Sequence, residues 1–485
     1  MTRHPLSRRI ADVLALAPDS PAIEFDDAWW SWGQVDAAAR RIAHLAAQHG
    51  GTQTAVLLRN SPTHVATVLG LLLAEATVVV VNPARGDDRT RADLAALAPA
   101  LAIGTPDDVA TLLAPSERTT VATITTLAEA PDVSATGRGT PDPKPGVAVR
   151  MLTSGTTGPP KRIDLTYDML ARSILGDMPS APRRGVAIVN APLVHIGGVY
   201  RVLQCVTAAR PFALLPRFDL DRWSEVVRRH RPKAVSLVPA ALRMVLHSGL
   251  TREDLASIRV VTSGTAPLSA DDADAFTEKF GIPVLTSYAA TEFGGGVAGW
   301  TLADHERHWR AKRGSVGRAT LGAGLRVVTE RGDPVPPGEA GLLEVKPGQL
   351  GPGTEWLRTT DLARLDADGF LWILGRADQA IIRGGFKVMP DDVRSALEAH
   401  AAVAGAAVVG RPDERLGETP VAMVELRAPI TADELADHLR ARLAHYEVPA
   451  SIAVVDAIPR TPSGKPDLTA VRAHFADDLG GGRGG

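Results

Sequence analysis

The chain has 485 residues, of which 45% are hydrophobic and 22% charged, so there is material for roughly two or three domains with large cores. Fifty-three Lys and Arg against fifty-five Asp and Glu leave a net charge of −2, which excludes a global basic field for nucleic acid or an acidic membrane surface. Cys205, in VLQCVTAA, is the single cysteine, which excludes a disulfide framework and a cysteine zinc site. It reads as a small buried hydrophobe in a reducing compartment, and a cytoplasmic location is expected.

In chain order, MTRHPLSRRIADVLALAPDS has the spacing of an amphipathic helix and not of a signal peptide. AAARRIAHLAAQHG then TAVLLRN reads as helix then strand. HVATVLGLLLAEATVVVVNP, His64 to Pro83, is the most apolar segment. Ser61-Pro62 supplies a cap and first turn, Glu75 interrupts the run, and VVVV follows as a buried strand. A core helix and core strand therefore fit better than a membrane span. PDVSATGRGTPDPKPG, up to Gly146, reads as a surface loop, and AVRML as a strand leading into TSGTTGPPK.

Further along, SEVVRRHRP then AVSLVP, and DADAFTEKFG then PVLTSY, repeat the helix–strand alternation. The pattern predicts α/β layers with mostly parallel strands. From Gly314 to Val345 short strands and tight turns such as ERGDPVPPGEAG indicate a small β-rich subdomain. After GRADQAIIRGGFKVMP come a helix (DDVRSALEAH), two strands (AGAAVVGRP, TPVAMVEL), a helix (ADELADHLRARL) and a strand (SIAVVDAI). The fold class expected is α/β: a large multi-layer N-terminal domain over residues 1–377, a small α+β C-terminal domain over 378–477, and a flexible tail over 478–485.

TSGTTGPPK, Thr153 to Lys161, cannot pack, but its chemistry suits an anion. Glycines let backbone N–H groups turn inward, Ser and Thr hydroxyls add donors, and Lys161 adds charge. A Walker A loop needs four residues between its glycines, then Gly-Lys-Ser/Thr and a helix. Here Gly155 and Gly158 are three apart, prolines precede the lysine, and RIDLTY continues as a strand. Two strands joined by a phosphate loop are expected, handling a nucleotide by another geometry.

With these motifs in hand, the chain resembles the adenylate-forming superfamily of acyl-CoA synthetases, adenylation enzymes and luciferases, most of all an acyl- or aryl-CoA ligase. The likeness runs nearly the whole length and in the family's order: PDSPAIEFDDAWWSWGQV, TSGTTGPPK, APLVHIGG, TSGTAPLS, SYAATE, WLRTTDLA, GRADQAIIRGGFKVMPDDV and PRTPSGKPD. The resemblance implies two steps. A carboxylate attacks the α-phosphorus of MgATP to give an acyl-adenylate and pyrophosphate, and the thiol of coenzyme A then displaces AMP.

By that resemblance Thr153, Ser154, Gly155, Thr156, Thr157, Gly158 and Lys161 cradle phosphates. Tyr288, with Ala289 beside it, lies against adenine opposite Gly264, Thr265, Ala266 and Pro267. Thr291 contacts the α-phosphate, and Glu292 holds Mg²⁺ through a hard carboxylate oxygen. Asp361 accepts from the ribose hydroxyls, Arg376 reaches ribose or phosphate, and Lys465 bridges the carboxylate and the α-phosphate. A rotation about Asp378 exchanges Lys465 for the turn at Gly384 and Gly385, beside a channel for the pantetheine arm. The acyl cleft falls to His195, as a gate at the carboxylate end, with Gly197, Val199, Gly264, Phe293 and Gly294. Arg201 is either a partner for a second substrate carboxylate or a surface residue.

Two positions depart from the pattern: Ala289 and Thr360 stand where the family usually has glycine. NAPLVHIGGVY lacks the aspartate that pairs a substrate amine in amino-acid-activating relatives, which disfavours α-amino acids. Four readings stay open: a CoA ligase for a small-molecule carboxylic acid, a stand-alone adenylation enzyme that loads a carrier protein or another nucleophile, a non-catalytic nucleotide- or acyl-binding homologue, and an oxidoreductase. The third is opposed by the presence of Lys465 and Glu292, the fourth by the lack of a Gly-x-Gly-x-x-Gly turn.

Overall fold

The computed structural model describes residues 3–477, apart from 86, 114–116, 138–143, 154–160, 384–385, 414 and 462–463. A seven-stranded sheet carries, in spatial order, Asp132–Ala135, Thr120–Thr123, Leu101–Gly104, Gln53–Leu57, Thr77–Val81, Val147–Thr153 and Lys161–Thr166. Its inner strands are parallel, and each edge pair is antiparallel. Every residue of Thr77–Val81 is buried, as a β-branched run covered on both faces should be. The helix Pro62–Leu73 starts where Ser61 accepts from the His64 N–H at 3.4 Å. It runs against Trp32–Gln48 so closely that a Cβ on Gly70 would lie 2.3 Å from the Ala39 carbonyl.

A five-stranded sheet runs Ala234–Ser236, Val260–Ser263, Val284–Ala290, Gly295–Gly299, Arg318–Ala319. Its first three strands are parallel; beyond Val284–Ala290 the pairing turns antiparallel. A four-stranded sheet joins Ala187–Val189, Phe212–Leu214, Pro21–Phe25 and Ala28–Ser31. The expected β-rich stretch is an antiparallel sheet of Gly324–Val328, Ala340–Lys346, Leu357–Leu365 and Leu371–Arg376.

Beyond Ile381 the chain makes a sheet of its own, with Val403–Asp413 against Gly417–Leu426 and Ile452–Val455 parallel to the latter. Helices Pro390–Glu398 and Ala432–Arg440 help bury Val393, Leu397, Leu435 and Leu439 in a core cluster separate from those of the preceding residues.

Two elements differ from expectation. Asp132–Ala135 forms an edge strand inside the segment read as a loop; three of its four residues are exposed, so it carries no burial pattern for a sequence reading to find. Leu468–Asp477 forms a last helix, which seats Val471 and Phe475 in the core. Cys205 is buried as expected, and burial pushes its thiol up to about 11. Among the described residues no helix is long and apolar enough to cross a membrane.

Candidate active site

The strands flanking the phosphate loop pair antiparallel, with Thr153 opposite Lys161. Ser154, Gly155, Thr156, Thr157 and Gly158 lie outside the described residues, as do Gly384, Gly385 and the tail. Next to Lys161, Arg162 donates to Asp93 at 2.6 Å and to the Val80 carbonyl at 3.0 Å. Behind it, Arg150 and Lys144 share the Asp164 carboxylate at 2.8 and 3.1 Å. The second strand is thus fixed by charge on both sides of its start.

Tyr288 and Asp361, 73 residues apart, meet: the phenol donates to Asp361 Oδ2. Asp361 lies opposite Arg376 in the antiparallel pair Leu357–Leu365 and Leu371–Arg376, and its own N–H donates to Thr359 Oγ1 at 3.0 Å. Burial raises the Asp361 carboxyl above its ordinary range. The Tyr288 hydrogen bond and the Arg376 charge work against that rise, and Asp378 and Asp391 add to it. Burial, and then the charge of Asp361, raises the Tyr288 phenol. Arg376 grips Asp378 through two bonds, 2.9 and 2.7 Å, and donates to Thr360 Oγ1 at 2.6 Å. Burial opposes ionisation of Asp378, but the Arg376 guanidinium wins and holds its carboxyl below the usual range. The departure at Thr360 therefore gives Arg376 a hydroxyl to hold.

Gly264 lies against the strand that carries Tyr288: a Cβ on it would stand 2.7 Å from Ser287 Oγ and 3.3 Å from the Ser287 carbonyl. Thr265 follows at φ +72, a strained conformation for a β-branched residue. Ala266 and Pro267 continue this segment, and Ala289 sits between Tyr288 and Ala290 in Val284–Ala290. Thr291–Phe293 form one 3₁₀ turn, closed by the Gly294 N–H on the Thr291 carbonyl at 2.9 Å. Phe293 is buried 5.8 Å from the Tyr288 ring, and Glu292 is exposed.

Lys465 arrives from the C-terminal part of the chain. Its carbonyl accepts from the Thr461 N–H at 2.7 Å, which with Gly464 at φ +79 makes a tight turn. The side chain is open to water, but its ammonium lies deep among protein atoms. Burial depresses its pKa below the ordinary lysine range, the Arg376 charge depresses it further, and Glu292 and Asp361 pull it back up. One cation thus feels three of the expected site residues, all more than eighty positions away in sequence. The same orientation is braced by Arg243, which donates to Glu398 at 3.1 Å across the boundary while held by Asp272 at 2.8 Å.

His195 caps the helix Ile196–Thr207 with backbone only; its N–H bonds the Pro192 carbonyl at 3.0 Å. Gly198 is required there, since a Cβ would lie 2.1 Å from that carbonyl, whereas nothing stands within 4 Å of a Cβ on Gly197. Val199 is fully buried in the main core. The segment before the helix is held by a residue the sequence did not single out. Buried Asn60 donates to the carbonyls of Ala191 and Leu215 at 3.1 and 3.0 Å and accepts from the Leu193 N–H at 2.7 Å. An Asn before Ser-Pro reads only as a turn residue. Tyr200 and Gln349 were missed too: Tyr200 donates to the Gly294 carbonyl and lies 3.2 Å from Ser173 Oγ, and Gln349 donates to the Gly296 carbonyl at 3.3 Å.

The chain is matched by known proteins. Residues 10–353 fit the model of the AMP-binding enzyme family, and residues 392–465 that of the AMP-binding enzyme C-terminal domain. The chain is 30% identical to an indoleacetate–CoA ligase of Aromatoleum aromaticum, over 97% of this chain and 98% of that one. It is 30% identical to 4-coumarate–CoA ligase 5 of Oryza sativa subsp. japonica, over 92% and 89%. Among solved structures, ATP-bound MatB from Rhodopseudomonas palustris superposes with a TM-score of 0.82 at 26% identity, covering 98% of this chain and 100% of that one. Apo MatB, with the same identity and coverage, gives 0.69, so the arrangement here is closer to the ATP-bound one. The chain belongs to the AMP-binding enzyme family, whose members here are ligases that join acids to thiols with AMP as the leaving group.

Proposed function

We propose that this enzyme activates a small-molecule carboxylic acid with ATP and transfers the acyl group to coenzyme A. The observation that carries the reading is that the Lys465 ammonium lies within electrostatic reach of Glu292, Asp361 and Arg376, in a chain whose arrangement is nearer to ATP-bound than to apo MatB. A carboxylate and a triphosphate repel each other, and an ammonium between them neutralises the charge that builds as the carboxylate oxygen bonds the α-phosphorus and pyrophosphate leaves. Asp361, bonded by the Tyr288 phenol and paired in register with Arg376, is an acceptor for the two ribose hydroxyls. Tyr288 and the Gly264–Pro267 segment are the two walls for adenine, and Thr291 the donor to the α-phosphate. The loop from Thr153 to Lys161 takes the outer phosphates.

Mg²⁺ fits the donor set. Glu292 is exposed beside the Thr291–Phe293 turn, and its hard carboxylate oxygen would hold the ion together with the phosphates of ATP. When bound, the ion supplies charge neutralisation at the phosphates.

In the second step the thiol sulfur attacks the acyl carbon, AMP departs, and the thiol proton passes to solvent. We infer that residues 378–477 turn about Asp378 as a unit against residues 1–377 and bring the Gly384–Gly385 turn to the cleft. His195, at the start of the helix that borders the acid, is the gate. A cytoplasmic location accords with the lone buried thiol. The test is pyrophosphate release with MgATP across aryl, alicyclic, fatty and dicarboxylic acids, each with and without CoA. Acid-dependent release, with a thioester only when CoA is present, supports the reading; adenylate without thioester refutes the acceptor, and silence with every acid refutes the whole.

A further inference from the structure

We propose that Thr360 is a positioning residue for the exchange between the two half-reactions: its hydroxyl pins Asp378 to the sheet that carries Asp361 and so favours the orientation that delivers Lys465. This rests on the turn about Asp378 proposed above and names the group that resists it.

Thr360 carries a side chain where the family usually has glycine, and nothing in the activation chemistry gives that side chain a task. It is exposed, on the strand Leu357–Leu365, immediately before Asp361. Asp378 sits in the middle of a single 3₁₀ turn, Ala377–Gln379, directly after the strand Leu371–Arg376. Three side-chain bonds reach its carboxylate. Two come from Arg376, Nε to Oδ1 at 2.9 Å and Nη2 to Oδ2 at 2.7 Å. The third comes from the Thr360 hydroxyl, whose oxygen accepts in turn from Arg376 Nη2 at 2.6 Å. Guanidinium, hydroxyl and carboxylate thus close a ring around the turn.

The two partners of Asp378 differ in what they can follow. Arg376 stands two residues before it on a long side chain, so its fork can travel with the carboxylate as the turn rewinds. Thr360 cannot. Its strand is paired on both sides, with Ala340–Lys346 and with Leu371–Arg376, and a β-branched side chain in a strand has little rotamer freedom. Its hydroxyl is therefore fixed to the stationary sheet, and a rotation at Asp378 must break that bond. A glycine at this position keeps the Arg376–Asp378 pair and loses the anchor. The guanidinium in the ring is also the one whose charge acts on Lys465 and Asp361, so the anchor borders the reacting groups without touching them.

The experiment compares four forms of the full chain: the parent, Thr360→Val, which keeps the shape without the hydroxyl, Thr360→Ser, which keeps the hydroxyl, and Thr360→Gly. Pyrophosphate release with MgATP, and thioester formation from preformed adenylate and CoA, are timed separately with the acid found by the screen above. One hydroxyl–carboxylate bond at a partly exposed site should shift the balance of orientations by roughly threefold to tenfold. Thr360→Val and Thr360→Gly should therefore speed thioester formation by that factor, with pyrophosphate release equal or slower and KM for ATP within about threefold, while Thr360→Ser should match the parent. A second readout needs no acid. The single cysteine, Cys205, is buried, so a dye pair on the exposed positions Glu253→Cys and Asp433→Cys reports the orientation by energy transfer with MgATP. Transfer should move away from the parent's value in Thr360→Val and return to it in Thr360→Ser. Both half-reactions falling by one factor, a KM for ATP that climbs while thioester formation stays put, or rates unchanged in Thr360→Val, overturns the inference and leaves the function standing. Silence with every acid overturns the function; the labels then decide this inference, which a transfer unmoved in Thr360→Val overturns.

Discussion

Glu398 lies between two arginines, 3.1 Å from Arg243 and 2.7 Å from Arg394, and is 8% exposed at its side chain. Arg243 belongs to the helix Pro239–Leu246 and Glu398 to Pro390–Glu398, so the first bond ties the two parts of the chain in the orientation that delivers Lys465. Stranding a buried charge costs about 3–5 kcal/mol. Here each arginine keeps a second partner, Asp272 at 2.8 Å for Arg243 and Asp391 at 3.1 Å for Arg394, so Glu398→Gln should cost less. The part that crosses the boundary is a single charge-assisted bond in a shielded site, about 1.5–2 kcal/mol. That is roughly a ten- to thirtyfold shift in the balance between this orientation and the alternative. The assay is a double-mutant cycle of Glu398→Gln and Arg243→Met, reading pyrophosphate release and, separately, thioester formation from preformed adenylate. Pyrophosphate release should show the coupling, and thioester formation should hold or rise. Coupling below about 0.3 kcal/mol, or both half-reactions falling by one factor, would refute the reasoning.

Lys465→Ala should slow pyrophosphate release at least roughly a hundredfold with ATP affinity within a few-fold, and release at the parent rate would remove Lys465 from the chemistry. Because the Lys465 ammonium titrates below the ordinary lysine range, it is lost as pH rises through that lowered value. The alkaline limb of adenylation should therefore come earlier than for a free lysine, and Lys465→Arg, if active, should lack that limb. Asp361 has the opposite sign: its raised carboxyl takes up a proton as pH falls, above the usual carboxylate range. KM for ATP should climb on that acid side, and Tyr288→Phe, which removes a donor to the carboxylate, should move the climb to still higher pH. Asn60→Ala strands two carbonyls and an N–H, and should destabilise the protein by about 2–3 kcal/mol, seen as a lower urea midpoint.

What the sequence made legible was whatever depends on neighbours along the chain. Pro62–Leu73 and Thr77–Val81 follow from a cap and an unbroken apolar run, and the two strands around TSGTTGPPK follow from a segment that cannot pack. Tyr288, Asp361 and Arg376 were legible only through resemblance, since their meeting depends on an antiparallel pairing and a 73-residue separation. Gln349 and Asn60 carried no signal, because a lone amide in GQL or RNS looks like any turn until the fold seals it from water. The Arg243–Glu398 bond spans 155 positions and joins helices whose local patterns do not mention each other. Asp132–Ala135 stayed hidden for the reverse reason: an exposed edge strand owes its form to its partner and not to its own side chains.

Gly197 and Gly198 sit side by side at the start of one helix and have opposite evolutionary futures. Any side chain on Gly198 collides with the Pro192 carbonyl, so that position is closed to drift. Gly197 is exposed and faces open space, so alanine, serine or valine there would meet no neighbour and leave the backbone undisturbed. On the acid-cleft role proposed for this residue, a lineage, or an engineer, could retune which acids fit by substitutions at one position while the activation chemistry is inherited intact.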